Sequence, residues 1–300
     1  MSVLVVALIA LFWWNETTEH PLFPTWEDIM VKVGLTDDAA LVAVGDGQLR
    51  VDVLSVGNAD AILIRQGENA MLIDGGSARN AGNILDFLRY ADVERFDYVI
   101  ASHFDVDHIG GLGKIVSQIE TEVFLYADMQ GEPTDLTSAS LFDELQEQNV
   151  AAQTVKTGDV YRLGLATVRI LGPSRSHDND NDGSVICRVE MGERSFLFMG
   201  DAELAAEQDA MLSPCKDYLP SDVLKVGHHG ADTSTNIHFL NRVDPRYAVI
   251  SCQEGNLYGH PHKALLERLS GSGTTYYRTD LCGRVSFLTD GHTITVQTER

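Results

Sequence analysis

One short segment of the chain carries four side chains of the kind that bind metal ions. Residues 102–111 read SHFDVDHIGG, so His103, Asp105, Asp107 and His108 fall within six residues, directly after an apolar run that predicts a strand. A loop can turn such closely spaced side chains toward one point, whereas successive side chains of a strand alternate between its faces. Imidazole and carboxylate together suit Zn, Mn or Fe. The alternative, a solvated polar loop, leaves packed acids and imidazoles without a cation between them.

Three further segments place polar side chains at the ends of predicted strands. Asp201 follows the apolar run FMG, the pair His228 and His229 lies in VGHHG, and His260 lies in YGHPH. A carboxylate at Asp201 can bridge two cations about 3.5–4 Å apart. The alternatives are that Asp201 caps the next helix, that the histidine pair is a surface pair, and that His260 only packs beside its neighbours. We predict that the adjacent pair supplies one metal ligand and one hydrogen-bond donor to a substrate, and that His260 is the better functional candidate of the two histidines in YGHPH.

The apolar periodicity predicts an α/β fold, because short apolar strands alternate with amphipathic helices along the chain. The predicted strands are 49–56, 61–65, 70–73, 98–101, 122–126, 166–171, 184–190, 195–199, 223–226, 247–251, 275–278, 285–288 and 294–297. The predicted helices are 81–90, 112–119, 137–149, 203–212, 236–241 and 263–270. Strands packed in two sheets with helices outside make an α/β sandwich.

The amino-terminal segment differs from the rest of the chain. Residues 3–14 (VLVVALIALFWW) form an unbroken apolar run, and the following stretch up to residue 47 has the composition of a linker. A helix of this length is about 18 Å long and suits a signal peptide or membrane tether better than a full span. The alternative is a buried helix or strand of the domain. We therefore divide the chain into a segment 1–47 and a domain 48–300, and expect an extracellular or membrane-anchored protein.

Charge and cysteine content limit the partners and the cofactors. The formal net charge is −22, from 44 acidic and 22 basic side chains, and such a surface repels polyanions at long range. The four cysteines have no CxxC spacing, which excludes a zinc ribbon and leaves disulfides open.

The motifs together resemble a known family. The series VGNADA (56–61), LIDGG (72–76), SHFDVDHIGG, FMGDAE, LKVGHHG and YGHPH looks like the metallo-β-lactamase domain of ComEC-type DNA-uptake proteins, over roughly residues 49–298. The resemblance implies a four-layer αβ/βα sandwich with a binuclear metal site at one edge. It also implies a hydrolase in which a metal-bound hydroxide attacks a phosphodiester or similar bond.

Carried over residue by residue, the resemblance assigns the candidate site. His103 and Asp105 fall at positions for the first metal, Asp107 and His108 at positions for the second, Asp201 at the bridging acid, and His229 at the late histidine. Asp107, His228 and His260 are the candidate catalytic residues, and Asp60 and Asp74 are expected to brace the metal ligands. The implied cofactors are one or two divalent ions, Zn or Mn.

The sequence departs from the family pattern in three places. Asp105 replaces the middle histidine of the commoner HxHxDH loop, and GNAD (57–60) replaces Gly-x-Gly-Asp. Between His108 and Asp201 the only histidine is His177, in a segment (174–182) that predicts a polar loop. In addition, the motifs of this chain include no ComEC membrane channel, so a role in DNA uptake does not carry over with the fold.

Three functions remain open at this stage. The first is an exported phosphodiesterase or nuclease, acting on a phosphodiester or other anionic substrate that could be DNA. The second is a hydrolase of a cell-wall or lipid phosphoester, or of a small lactone or thioester, which the negative charge favours. The third is a binding module without turnover. The sequence indicates no stable protein partner.

Overall fold

Two β-sheets form the frame of the protein. The computed structural model describes residues 44–128 and 135–300, and the predicted tether 3–14 lies outside them. Fifteen strands are present in the described part of the chain. They are β1 Leu49–Val53, β2 Ile62–Gln66, β3 Asn69–Ile73, β4 Arg95–Ala101, β5 Glu120–Ala127, β6 Ala151–Val155, β7 Val160–Leu163, β8 Ala166–Gly172, β9 Ile186–Met191, β10 Arg194–Phe198, β11 Val223–Lys225, β12 Tyr247–Ile250, β13 Thr275–Arg278, β14 Val285–Thr289 and β15 Ile294–Thr298.

Both sheets are mixed. The first has the order β15-β14-β1-β2-β3-β4-β5-β6, and the second has the order β13-β12-β11-β10-β9-β8-β7. Strands β3 to β6 are parallel to one another, as are strands β10 to β13, and the remaining neighbours are antiparallel.

Apolar side chains from both sheets meet between them. Val51 and Ile100 of the first sheet and Val189 and Phe196 of the second belong to one buried cluster. The helices lie on the outer faces: Phe124 contacts Phe142 of a helix on the first sheet, and alternate residues of the second sheet pack against three helices. The helices are α1 Ala81–Tyr90, α2 Val106–Ile109, α3 Leu112–Val116, α4 Leu136–Glu147, α5 Leu204–Leu212, α6 Ile237–Val243, α7 Lys263–Gly271 and α8 Thr279–Cys282. The predicted αβ/βα sandwich is confirmed.

The secondary structure departs from the prediction in a few elements. Strands β6 and β7 were not predicted, and the single turn α2 lies within the segment expected to be a loop. Strand β6 is an edge strand with four exposed residues, Ala-Ala-Gln-Thr, so it lacks the apolar pattern by which the other strands are recognised. Within the described ranges, no helix combines the length and apolar character needed to cross a bilayer.

The topology places the carboxyl ends of the parallel strands of both sheets where the candidate site lies. Asp74 follows β3, the segment from Ser102 follows β4, Asp201 follows β10, and the histidine pair follows β11. Parallel strands of one sheet end at a common edge, and their loops therefore converge.

Candidate metal centre

The segment after β4 is turned inward by one turn of helix. The carbonyl of Asp105 accepts hydrogen bonds from the N–H groups of His108 (2.9 Å) and Ile109 (3.0 Å), which closes α2. A Cβ on Gly111 would overlap the carbonyl of Gly75, so a glycine there allows the turn to approach the loop after β3. This folding explains how three of the four side chains, those of His103, Asp107 and His108, reach the same cluster.

Five of the six predicted metal ligands are brought together. Groups of donor atoms within 4.8 Å of one another include His103 with His108 and Asp201, and Asp107 with His108 and His229. His108 Nε2 lies 3.4 Å from Asp201 Oδ1, and His229 Nε2 lies 3.5 Å from Asp201 Oδ2. Asp201 therefore occupies the middle of the cluster, as a bridging carboxylate would.

The cluster fits a divalent cation. His103 Nε2, His108 Nε2, His229 Nε2 and Asp201 Oδ1 are all buried and have no hydrogen-bond partner. Buried polar atoms without partners are rare in native proteins, because leaving one unsatisfied costs about 1–3 kcal/mol. Imidazole nitrogens and carboxylate oxygens facing one point are the donor set of Zn²⁺ and Mn²⁺ sites.

The electrostatics of the cluster also favour a bound cation. Burial opposes the charged form of His108, but Asp201 and Asp74 outweigh it and hold the pKa of His108 well above its ordinary value. Burial likewise opposes ionisation of Asp201, yet His229 and His108 hold its pKa well below the usual range. The carboxylates thus attract positive charge strongly.

Asp74 braces His108 from behind. Its Oδ2 accepts hydrogen bonds from His108 Nδ1 (2.8 Å) and Ser102 Oγ (2.7 Å), and its Oδ1 accepts one from the Ser102 N–H (2.7 Å). A proton on Nδ1 leaves Nε2 of His108 as the free donor atom toward the cluster. Ser102 was not predicted, and its place between the strand and His103 in the sequence is the signal that could have found it.

Asp60 also lies at the cluster, but its carboxylate is paired with the ammonium of Lys225. Its Oδ2 is 2.7 Å from Lys225 Nζ, and its Oδ1 is 3.7 Å from His229 Nδ1. Burial raises the pKa of Asp60, and the Lys225 ammonium, with His229, more than offsets this and lowers it. Asp60 belongs to two groups of potential ligands, one with Asp201 and His229 and one with Asp74 and His108.

Two further histidines, His228 and His260, line the groove beside the cluster. His228 Nδ1 lies 2.8 Å from Glu203 Oε1, and its Nε2 lies 3.9 Å from Asp201 Oδ2. His260 lies beside it, with ring centroids 5.3 Å apart, and stacks on Tyr258. Burial and the neighbouring histidines lower the pKa of His260 to about 4, so it is neutral at pH 7. Glu203 had been predicted only as the start of a helix, because nothing in the sequence links it to a histidine 25 residues away.

Two sequence candidates lie outside the donor groups of the described residues. Asp105 is half exposed, with its Oδ2 3.7 Å from His103 Nε2. His177 Nε2 lies 3.2 Å from Asp209 Oδ2, so this histidine pairs with a residue of α5. All four cysteines are free.

Sequence comparison assigns the family. The family model described as the metallo-beta-lactamase superfamily matches residues 54–254. The chain belongs to the metallo-beta-lactamase superfamily. As a member, it is a metal-dependent hydrolase, and its histidine and aspartate cluster fits the one or two divalent metal ions that the superfamily typically binds.

Curated relatives in the superfamily carry competence-related names. The chain is 27% identical over 258 residues to ComE operon protein 3 of Bacillus subtilis, an alignment covering 79% of this chain and 32% of that protein. It is 32% identical over 250 residues to competence protein ComA of Neisseria gonorrhoeae, covering 82% of this chain and 33% of that protein. The resemblance to ComEC-type domains is therefore confirmed, and the chain spans about a third of the length of these relatives.

A solved structure supports the same fold. The metallo-beta-lactamase fold protein YhfI of Bacillus subtilis superimposes with a TM-score of 0.53, covering 83% of this chain and all of that one. The two sequences are 12% identical, so this similarity shows the fold alone.

Proposed function

We propose that the protein is a phosphodiesterase, with nucleic acid among its candidate substrates. The observation that carries the proposal is the cluster of buried donor atoms without partners, which opens into a groove of about 1090 Å³. A groove of this size accommodates substituents on both sides of a scissile phosphate. The competence-related names of the relatives support DNA as one such substrate.

We assign metal binding and substrate orientation to different residues of the site. His103, Asp107, His108, Asp201 and His229 would hold the metal ions, with Asp105 at the rim. Divalent metal ions supply Lewis acidity and lower the pKa of water to about 7. His228, fixed by Glu203, and His260 would orient the phosphoryl oxygens, since both line the groove. Neutral His260 has one N–H to donate, and its Nδ1 is buried without a partner.

The metal and the cellular location are part of the proposal. A cluster of three imidazoles and carboxylate oxygens suits Zn²⁺ or Mn²⁺. The apolar run 3–14 supports export or a membrane tether.

The charge of the groove favours a second candidate. Away from the metal ligands, the groove wall carries Asp128, Asp135 and Asp180 against Lys156 and Arg175. Arg175 is itself paired with Asp209 at 2.5 Å. With a net charge of −22, such a wall offers little to a long polyanion. A cell-wall or lipid phosphoester, or a small lactone or thioester, is therefore the alternative substrate class.

One experiment tests the function. Metal-free protein and protein reloaded with Mn²⁺ or Zn²⁺ are assayed on bis(p-nitrophenyl) phosphate, p-nitrophenyl phosphate, single-stranded and double-stranded DNA, and a lactone. We expect turnover of the diester only in the loaded protein, with loss of both metal and turnover in Asp107→Asn. Asp86→Asn, which removes a carboxylate from the exposed face of α1, is the matched control. Turnover of the lactone alone would refute the phosphodiesterase, and binding without any turnover would indicate the third function.

A further inference from the structure

A lysine lies buried beside the metal-ligand cluster. Lys225 is the last residue of β11, and its side chain has no exposed surface. Val223, two residues earlier, belongs to the core between the sheets. Because alternate residues of a strand share a face, Lys225 points to the same side, toward the first sheet. There it meets Asp60, in the loop between β1 and β2.

The two charged side chains have few other partners. Lys225 Nζ donates to the carbonyl of Val226 (2.9 Å) and lies 2.7 Å from Asp60 Oδ2. Neither carboxylate oxygen of Asp60 has a hydrogen-bond partner with normal geometry, although the residue is 1% exposed. The Asp60 backbone is fixed, because its N–H donates to the main-chain carbonyl of Asp107 (3.3 Å) and its carbonyl accepts from the N–H of Gly76 (2.8 Å). The carboxylate is thus held at the cluster by the main chain and neutralised by one ammonium.

We propose that Lys225 is a positioning residue that acts as a built-in cation, keeping Asp60 out of the metal's ligand set and weakening metal binding. Its ammonium lies against Oδ2 of a carboxylate whose Oδ1 is 3.7 Å from His229 Nδ1, and Asp60 forms one group of potential ligands with Asp201 and His229. A fixed positive charge also repels a dication held by the same carboxylates. The inference depends on the metal centre of the superfamily and not on the substrate proposed above.

The alternative is an ordinary structural ion pair, and it predicts a different result. Removing one partner of a buried pair leaves an uncompensated charge, which is strongly destabilising. If the pair is only structural, replacing Lys225 by a neutral residue destabilises the protein and leaves metal affinity unchanged or lower. If Lys225 competes with the metal, the same replacement destabilises the metal-free protein but makes Asp60 available as an additional ligand.

The test measures Mn²⁺ affinity and thermal unfolding in the full chain without any substrate. Lys225→Met is compared with Lys263→Met, which removes the same charge from an exposed position on α7. The double variant Asp60→Asn/Lys225→Met replaces the ion pair with two uncharged side chains, so that neither charge is left without its partner. We expect Lys225→Met to bind Mn²⁺ about tenfold or more tightly, because a positive charge that repels the dication is removed, with a larger metal-induced rise in Tm. We expect Lys263→Met to have the Mn²⁺ affinity of the wild type. The Mn²⁺ affinity of the double variant should lie within roughly threefold of the wild-type value.

If metal-free Lys225→Met does not fold, the variant is purified with Mn²⁺ and its metal release to a chelator is timed. Release slower than in the wild type supports the inference. Equal or weaker Mn²⁺ binding, or equal or faster release, overturns it. Because no substrate is involved, failure here is distinguishable from failure of the proposed phosphodiesterase.

Discussion

Replacing Asp74 by asparagine should weaken metal binding by reversing one hydrogen bond. The Ser102 N–H, 2.7 Å from Asp74 Oδ1, can only donate, so the amide oxygen of Asn must stay on that side. The amide NH₂ then faces His108 Nδ1, at the position of the oxygen that now lies 2.8 Å away. His108 would have to accept at Nδ1 and carry its proton on Nε2. A protonated Nε2 cannot bind a metal ion.

The magnitude follows from the position of Asp74 behind His108, a predicted metal ligand. Loss of such a partner typically lowers metal affinity about 10- to 100-fold, which is roughly 1.4–2.7 kcal/mol. His108 is fully buried, so no water can restore the lost acceptor. The pKa of His108, which burial lowers and which Asp201 and Asp74 raise, should fall as well.

The assay is a Zn²⁺ and Mn²⁺ titration of metal-free protein, with circular dichroism to confirm the fold. Asp52→Asn is the matched control, because Asp52 is an equally buried carboxylate that accepts from Arg50 and Ser286, away from the metal cluster. The control should lose stability and keep wild-type metal affinity. Wild-type affinity in a folded Asp74→Asn protein would show that Asp74 does not set the proton position of His108, and would refute the reasoning.

Three further predictions concern the late histidines, the rim carboxylate and a buried glutamate. His229→Ala should lose metal. His260→Ala should keep its metal, but its turnover should fall about 10²–10³-fold, as is typical when a preorganised donor is lost. Full turnover in His260→Ala would show that the loop around His260 is structural. Asp105→His should raise the ratio of Zn²⁺- to Mn²⁺-supported activity, because imidazole is a softer ligand than carboxylate, and an unchanged ratio would remove Asp105 from the ligand set. Burial raises the pKa of Glu207 from 4.5 to about 7. Because the pKa is raised on folding, the contribution of Glu207 to the free energy of unfolding is fully present below pH 4.5. It is lost as the pH rises through 7, and the loss is about 3 kcal/mol in all. Urea unfolding at pH 5 and pH 8 should therefore show a flatter pH dependence in Glu207→Gln, and an unaltered slope would assign the pH dependence to other groups.

The sequence was most informative where the signal is local. The ligand segment is contiguous, and most strands are apolar runs that end at polar loops. The fold could therefore be predicted, and so could five candidate ligands whose side chains the structure brings together. The ion pair of Lys225 and Asp60 could not, because a lysine at a strand end is normally solvated and its partner is distant in the chain. The Glu203–His228 contact escaped prediction for the same reason. Strand β6 was missed because its outward residues carry no apolar pattern.

The pairing of β1 with β14 has a consequence for the order of folding. Arg50 of β1 donates to Ser286 of β14 across 236 residues, with both side chains buried. Until the last strands are synthesised, β1 therefore has an open edge and an incomplete polar cluster on its outer face. Contacts this distant in sequence slow folding, and an unpaired strand edge invites association with other chains. The nascent domain cannot close its first sheet from the amino terminus onward, which leaves this edge open to a chaperone or a misfolding partner until β14 has been made.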